Sequence, residues 1–427
     1  QMATEIGLSQ PTVTRALAAM GDDVIKTGQR KSTRYLLRDK RRGFGDIAVY
    51  RVDAQGKVRE LGTLAPVRPD GFLFTQADGL SIHSEGLPWW MLDMKPQGFL
   101  GHAYAARFGA ALGLPSNVKA WTDSQAISAL LVHGHDSVGN LLIGTISRDQ
   151  FINMPEPQPI SGADKSTAYP SLAIGAAEGG SPGSSAGGEQ PKFTAYADFA
   201  GVPTHVIVKF SEQQVSPNST RWRDLLLAEH IALQTLRQAH IAAADSLICD
   251  HQGQRFLEVA RFDRIGTLGR QALISLTALD AEFAGLGDQP WPVITKSLLK
   301  QRVITPDAAE GAELLWAFGA LIGNSDMHNG NLSFTSEHGR PYALAPAYDM
   351  TPMSFKPESS GRLPNAIQPM TLHASVSNNN WRRAQTLATK YLSALRASDQ
   401  FSVEFQVCMD ALATHLASAN TQICRLA

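Results

Sequence analysis

Between Gly323 and Pro352 the chain reads Asn324-Ser-Asp326-Met-His328-Asn-Gly-Asn331-Leu-Ser-Phe334, turns at His338-Gly339, and runs on as Leu344-Ala-Pro-Ala-Tyr348-Asp349-Met350. Phosphoryl transfer needs a carboxylate that orients and deprotonates a hydroxyl, and an amide oxygen plus a second carboxylate that hold Mg²⁺ against the phosphates. Asp326, Asn331 and Asp349 are groups of those types. A kinase catalytic loop places its Asn five residues after its Asp, and its metal-binding Asp follows a short hairpin. Asn331 stands five residues after Asp326, and a Gly-bearing turn separates it from Asp349. Asp and Asn are common turn residues, so none of the three carries this reading alone. The set, following an apolar helix and ending at Tyr-Asp, does. His328 could position the base or reach phosphate, but a histidine in a tight polar loop more often hydrogen-bonds backbone carbonyls, and it is read as structural support.

Such a site also needs a lysine that grips phosphates. In Val206-Ile-Val-Lys209-Phe210 the alternation puts Lys209 on a face with Ile207, odd for a purely solvated lysine. The helical stretch that follows sets Glu229 in line with Leu225, Leu233 and Leu236, and a carboxylate in an apolar stripe wants a cationic partner. Lys209 is the natural candidate, although each residue taken singly reads as a snorkelling lysine or a helix-edge glutamate. Upstream, Gly183-Ser184-Ser185-Ala-Gly187-Gly188-Glu-Gln190-Pro-Lys192 fails the Walker A pattern, because Glu189 follows Gly188, and it lacks G-x-G-x-x-G. A glycine loop just before a strand nevertheless suits a nucleotide cover. The whole stretch Ser171 to Gln190 holds six glycines and is read as a linker or a phosphate-contacting loop.

The elements around these groups follow from patterning. Thr204 to Phe210 and Arg255 to Phe262 read as strands, and Trp222 to Ala239 and Ala308 to Gly323 as helices. Further upstream, Ile47 to Val52 and Val58 to Leu64 flank the turn Asp53-Ala-Gln-Gly56 as a hairpin, and Asn140 to Gly144 reads as a strand. Trp89 and Trp90 are read as core or interlobe packing.

With 427 residues the chain is long enough for several domains, and 43% hydrophobic and 18% charged residues at a mean hydropathy of −0.13 exclude general disorder. The longest uncharged apolar stretch, Leu314 to Gly323, covers about half of the ~20 residues a membrane span needs, so no membrane partner is expected. Three scattered cysteines, Cys249, Cys408 and Cys424, offer neither a disulfide framework nor a zinc site and fit a reducing cytoplasm.

The net charge of −1 hides a basic end: residues 1–42 carry nine Lys and Arg against four acids. Ala3 to Leu17 reads as two helices of a helix-turn-helix, with Gly7 in the turn, Ser9 as N-cap and Pro11 in the first helical turn. Val13, Leu17 and Met20 share one face, which leaves Gln10, Pro11, Thr14 and Arg15 where a recognition helix meets base edges. Val24 to Leu37 then reads as two strands around Gly28, a wing that sets Arg30, Lys31 and Arg34 along phosphates. The plainer alternative is a small helical cap with a solvated basic face. The sequence opens at Gln1-Met2 with no helix before this module, so its usual first helix is expected to be missing.

Ser185-Ala-Gly-Gly-Glu-Gln190-Pro-Lys192, Lys209, Ala260-Arg-Phe-Asp-Arg264, Asp326-Met-His-Asn-Gly-Asn331 and Tyr348-Asp349 together resemble the HipA family of bacterial toxin kinases, in the same order and at similar spacing. Pro88-Trp-Trp through Pro96-Gln-Gly98 and Gly139-Asn-Leu-Leu142 resemble that family's N-terminal subdomain. The fused helix-turn-helix fits the YjjJ type, in which the module is not left to a separate antitoxin; whether one also exists is left open. The resemblance implies an α+β fold: a two-lobed protein-kinase-like body with an N-terminal winged helix-turn-helix. Its divisions are 1–42 for the DNA-binding module, 43–150 for the N-terminal subdomain, 151–263 for the N-lobe and 264–427 for the helical C-lobe. It implies ATP- and Mg²⁺-dependent phosphorylation of serine or threonine on a protein, with Asp326 as general base and Asn331 and Asp349 as Mg²⁺ ligands. Lys209 would hold ATP phosphates with Glu229 as its partner, Gly187, Gly188, Gln190 and Lys192 would border the nucleotide, and the segment of Ala260 and Phe262 would meet adenine. Ser185, with Ser184 as alternative, would be the autophosphorylation site. The chain departs from the pattern at Ala260, where many relatives carry Glu, and at Pro191. The family's synthetase targets suggest a translation factor as substrate and duplex DNA as the second partner. Two other readings use the same residues: a DNA-binding regulator whose body only senses nucleotide, and a metal-dependent nuclease, which would leave Lys209 and the glycine loop without a task.

Overall fold

The computed structural model describes residues 5–28, 33–177 and 190–426. In the basic head, Gly7 turns the chain at φ 67° and Ser9 Oγ accepts the Thr12 N–H at 3.3 Å, which starts α1 (Gln10–Ala19) with Pro11 in its first turn. β1 (Val24–Thr27) and β2 (Arg34–Leu37) pair antiparallel, Val24 opposite Leu37. The apolar face of α1 is not a core: Val13 and Leu17 are only half-buried and Met20 is 41% exposed.

The last basic residues of the head serve a different purpose from the one their charge suggests. Arg38 pairs with Asp46, and the buried Asp39 carboxylate receives Arg41 and Arg42. Arg42 also donates to the Val67 carbonyl at 2.8 Å and lies 4.7 Å over the Phe72 ring. Arg38 and Arg42 therefore fasten the head to the next domain, and the basic excess free to meet a polyanion is smaller than the sequence count.

That domain is a five-stranded antiparallel sheet, ordered β6-β5-β4-β3-β7. β3 (Ile47–Val52), β4 (Val58–Val67), β5 (Gly71–Gln76) and β6 (Ser81–Ser84) form a meander, with a bulge at Val49/Tyr50. α2 (Gly98–Phe108) and α3 (Asp123–His133) follow, then β7 (Leu141–Ile143) and α4 (Gly144–Asn153). Val49, Leu64, Phe72 and Phe74 pack with Met91, Ile127 and Ile143.

α5 (Lys165–Ala177) corrects one expectation, since Ser171 to Ala177 are helical and not part of a glycine loop. The apolar run Leu172-Ala-Ile-Gly-Ala-Ala177 has helical spacing, and Tyr169, Ala173 and Ala176 pack with Phe193, Phe210 and Phe256. These rings belong to the four-stranded N-lobe sheet, ordered β10-β11-β9-β8, made of β8 (Lys192–Phe199), β9 (Val202–Phe210), β10 (Ser246–His251) and β11 (Gln254–Ala260). Between β9 and β10 runs α6 (Pro217–Gln238), five residues longer at its start than the pattern predicts because Ser216 and Ser219 form a capping box. Leu225, Leu233 and Leu236 of α6 join the C-lobe core, so the helix that carries Glu229 belongs energetically to both lobes.

The C-lobe begins with the short strands β12 (Arg264–Ile265), β13 (Gly269–Arg270) and β14 (Ile274–Ser275) and the single turn α7 (Leu276–Leu279). α8 (Trp291–Lys300) and α9 (Pro306–Leu321) lead into β15 (Ser333–Thr335) and β16 (Ala343–Leu344), and α10 (Asn378–Ala397) and α11 (Gln406–Ile423) close the lobe. α9, α10 and α11 pack around Phe318, Trp381, Tyr391 and Leu412. Among the described residues no helix is long and apolar enough to cross a membrane.

The predicted boundary between 263 and 264 falls inside a charged fastener. Arg261 donates to both Asp263 oxygens at 3.0 Å, Arg264 reaches Asp263 at 2.6 Å and Asp136 at 2.8 Å, and the Gly139 N–H donates to Asp263 at 3.0 Å. Burial works against the Asp263 charge, yet Arg261 and Arg264 hold its carboxyl below the usual carboxylate range. The charged members of the Ala260-Arg-Phe-Asp-Arg264 motif thus bind the middle domain to the kinase-like body.

Candidate active site

Lys209 is the penultimate residue of β9, and α6 presents Glu229 to it. Lys209 Nζ donates to Glu229 Oε1 at 2.7 Å and Oε2 at 2.8 Å, and it also pairs with the Asp349 carboxylate. Thr351 Oγ1 donates to Glu229 Oε2 at 2.8 Å. Glu229 is 1% exposed and Lys209 5%. Burial opposes the Lys209 charge, but the adjoining Asp349 and Glu229 raise its pKa above the ordinary lysine value. Asp349 is half-buried and is held below its ordinary value by Lys209 and Lys192, against the opposing effect of burial, while burial raises Glu229 despite the Lys209 charge beside it.

Lys192, the Cα partner of Lys209 across β8 and β9, is 2% exposed. Burial lowers it to about 8, an effect that Lys209 adds to and the nearby Asp349, Glu229 and Asp326 oppose.

The loop after α9 carries the remaining predicted groups. Asn324, buried at its start, accepts the Asp326 N–H on Oδ1 at 3.0 Å and donates from Nδ2 to the Asp349 carbonyl at 3.1 Å. Asn331 Nδ2 donates to the Asp326 carbonyl at 2.8 Å. Tyr348 donates its hydroxyl to the Gly330 carbonyl at 2.8 Å and lies 2.6 Å from Ser333 Oγ. Asp349 takes a left-handed backbone, φ 54°, which a residue with a side chain adopts only when its surroundings enforce it. His328 is exposed, and its Nδ1 accepts the Gly330 N–H at 3.1 Å. This bond is to an amide, whereas the expectation for a loop histidine is a bond to a backbone carbonyl.

The fold therefore brings Lys192, Lys209, Glu229 and Asp349 together, and joins Asp326 and Asn331 to them through Asn324, which bonds both the Asp326 N–H and the Asp349 carbonyl. Gln190 leads into β8. Gly187, Gly188, Ser184 and Ser185 lie outside the described residues, as do Arg30 and Lys31 of the head. At the segment of Ala260 and Phe262, the Ala260 and Arg261 N–H groups are already donated to Asp245 and His205 carbonyls, both at 2.8 Å, and the Phe262 ring packs 5.8 Å from Tyr348. Gln10, Pro11, Thr14, Arg15 and Arg34 are all exposed. Sequence reasoning gave no role to Asn324 and Thr351, which bond the candidate groups without joining them, and quoted Tyr348 only as part of the Tyr-Asp motif; Asn324, a polar residue just past an apolar helix, also left a signal.

Among the described residues no three His, Cys, Asp or Glu converge as a metal site. Mg²⁺ does not require that, because it keeps waters and shares substrate phosphates. Asn331 and Asp349 fit such an ion: both offer hard oxygens, and the bond from Asn331 Nδ2 to Asp326 leaves its amide oxygen as the available donor atom.

Residues 184–418 match the HipA-like C-terminal domain family, and residues 44–152 match the middle domain of YjjJ-like toxins. The kinase-like body is thus that of a HipA-like toxin. Over 408 residues the chain is 38% identical to Toxin YjjJ of Escherichia coli (strain K12), covering 95% of this chain and 91% of that one. The chain belongs to the YjjJ-like toxins. Its fold is similar to a Helicobacter pylori proinflammatory kinase, CtkA (TM-score 0.39, 14% identity, 56% of this chain and 93% of that one). It is also similar to Shewanella oneidensis MR-1 HipA, solved with HipB and operator DNA (TM-score 0.49, 13% identity, 89% and 97%).

Proposed function

We propose that this toxin is an ATP- and Mg²⁺-dependent serine/threonine protein kinase that acts in the cytoplasm and also binds duplex DNA through its head. The observation that carries the reading is Lys209 held between Glu229 and Asp349, the lysine-glutamate pairing that phosphoryl transfer by kinases depends on. Lys209 and Lys192 offer two buried positive charges to a triphosphate. Asp326 accepts the proton of the attacking hydroxyl, and its backbone is held on both sides by Asn324 and Asn331. When bound at Asn331 and Asp349, Mg²⁺ supplies charge neutralisation at the phosphates. Water is kept from the lysine by the apolar residues of β9 and α6.

The protein substrate is proposed to be a translation factor, and Ser185, or Ser184, to be modified by the enzyme itself. Phosphoserine there adds about −1.5 to −2 charges, and repulsion of the ATP phosphates is the proposed means by which it lowers nucleotide affinity. The test is incubation of the purified chain with Mg²⁺ and radiolabelled ATP, followed by mass spectrometry. Phosphate on protein that disappears in Asp349→Ala is the expected result. ATP turnover with no phosphate on any protein, or phosphate that persists in Asp349→Ala, overturns the reading.

A further inference from the structure

Away from the Lys209 site, the sheet of the middle domain meets the C-lobe around a cavity of about 290 Å³. Its walls are mostly apolar and aromatic: Phe74, Trp89, Trp90 and Tyr342 border it, with Leu61 and Ile274. The rings are fixed from behind. Trp90 meets Phe74 edge-on at 5.3 Å, and Trp89 meets Phe283 at 5.3 Å and Tyr342 at 6.5 Å.

One charge on this wall is unmatched. Arg51 of β3 is half-buried, and its Nε is shielded from solvent without a hydrogen-bond partner. Its cross-strand neighbour on β4 is Arg59, a like charge, and among the described residues Arg51 forms no ion pair. Burial and Arg59 both lower its pKa, so the protein around it disfavours the charge it carries. Glu337 also borders the cavity, but it is largely exposed and faces His338. On the far wall Asp93 accepts the Ser275 N–H at 2.7 Å, and burial raises its pKa. A half-buried guanidinium without an ion-pair partner, set beside aromatic walls, is a ready partner for a ligand that supplies the anion.

We propose that this cavity is a binding site for a small aromatic carboxylate, its ring between the tryptophans and its carboxylate on Arg51. The guanidinium fork matches one planar carboxylate through two parallel N–H donors. The volume lies at the low end of ligand pockets, ~300 Å³, which suits one or two rings. Because the walls come from the middle domain and from the strands that flank the Asp326 loop, the ligand would touch both.

The experiment is calorimetric titration of the full chain with cinnamate and with its neutral isostere, cinnamamide. Cinnamate should bind, with the amide weaker by roughly tenfold or more. Arg51→Met should reduce cinnamate to the affinity of the amide. Ile82→Trp, at the cavity mouth where Ile82 is 43% exposed, should block both ligands without altering the melting temperature. No binding of cinnamate to the unaltered chain overturns the proposal. So do equal affinities for acid and amide, or full binding by either variant.

Discussion

Lys192 and Lys209 stand directly opposite each other across β8 and β9, both almost removed from water. Like charges so placed destabilise a sheet. What offsets them is the convergence of Glu229 from α6 and Asp349 from the C-lobe on Lys209, which leaves the cluster near neutrality. The two lysines then diverge: Lys209 is raised by its carboxylates, while Lys192 is lowered to about 8 by burial.

This gives nucleotide binding a pH dependence. The phosphates of ATP favour charged Lys192. Below about 8 the free protein already carries that proton, and above it binding must take one up, so affinity should fall as pH rises through this value. Calorimetry in buffers of different ionisation enthalpy should show little proton uptake at pH ~7 and about one proton at pH ~9. Lys192→Met should abolish the uptake. Equal uptake in that variant would mean that another group titrates.

The Lys209 cluster should also be a stability element. Lys209→Met leaves Glu229 buried and Asp349 half-buried without their shared cation, an expected loss of about 3 kcal/mol together with loss of ATP binding. Lys209→Met combined with Glu229→Gln should recover part of the stability and none of the activity. Urea unfolding of the two single variants and the double variant measures the coupling, and additivity within about 0.5 kcal/mol would show that the pair does not interact.

Asn324 is expected to position Asp326 and Asp349 without reacting. Asp326→Ala or Asp349→Ala should lower phosphate transfer by at least about a thousandfold, ~4 kcal/mol in the barrier, with the fold intact by circular dichroism. Asn324→Ala should lower kcat by about ten- to a hundredfold while KM for ATP hardly moves, because Lys209 and Lys192 stay in place. A rise in KM with kcat preserved would assign Asn324 to binding.

The proposed reacting groups were visible as candidates in the sequence because each breaks a local pattern. Glu229 interrupts an apolar stripe, Lys209 sits within an apolar strand, and Asp326 and Asn331 keep a fixed spacing. What holds them was not legible, since it depends on contacts distant in sequence. Thr351 reaches Glu229 across 122 residues, and Arg264 reaches Asp136 across 128. The positive φ of Asp349 falls on a residue type that gives no warning of it. Ser171 to Ala177 was misassigned because glycines beyond it weighted the whole stretch toward loop, although its own alanines form a helix. In the head, charge counting alone could not separate Arg15, which is exposed, from Arg42, whose side chain is 8% exposed.

That last distinction is itself testable. Arg15 lies at the open start of α1 beside Gln10, Pro11 and Thr14, whereas Arg42 spans Asp39, the Val67 carbonyl and the Phe72 ring. If the head binds duplex DNA, Arg15→Ala should weaken a specific site more than random sequence, and Arg34→Ala should weaken both alike and make the salt slope shallower by about one. Arg42→Ala should leave base preference untouched and instead loosen the head, seen as faster amide exchange in β1 and β2 and easier proteolysis near residue 42. Fluorescence anisotropy over a salt series, with selected and random duplexes, separates the three. A loss of sequence preference in Arg42→Ala equal to that in Arg15→Ala would place the recognition surface at the joint with the middle domain and not on α1.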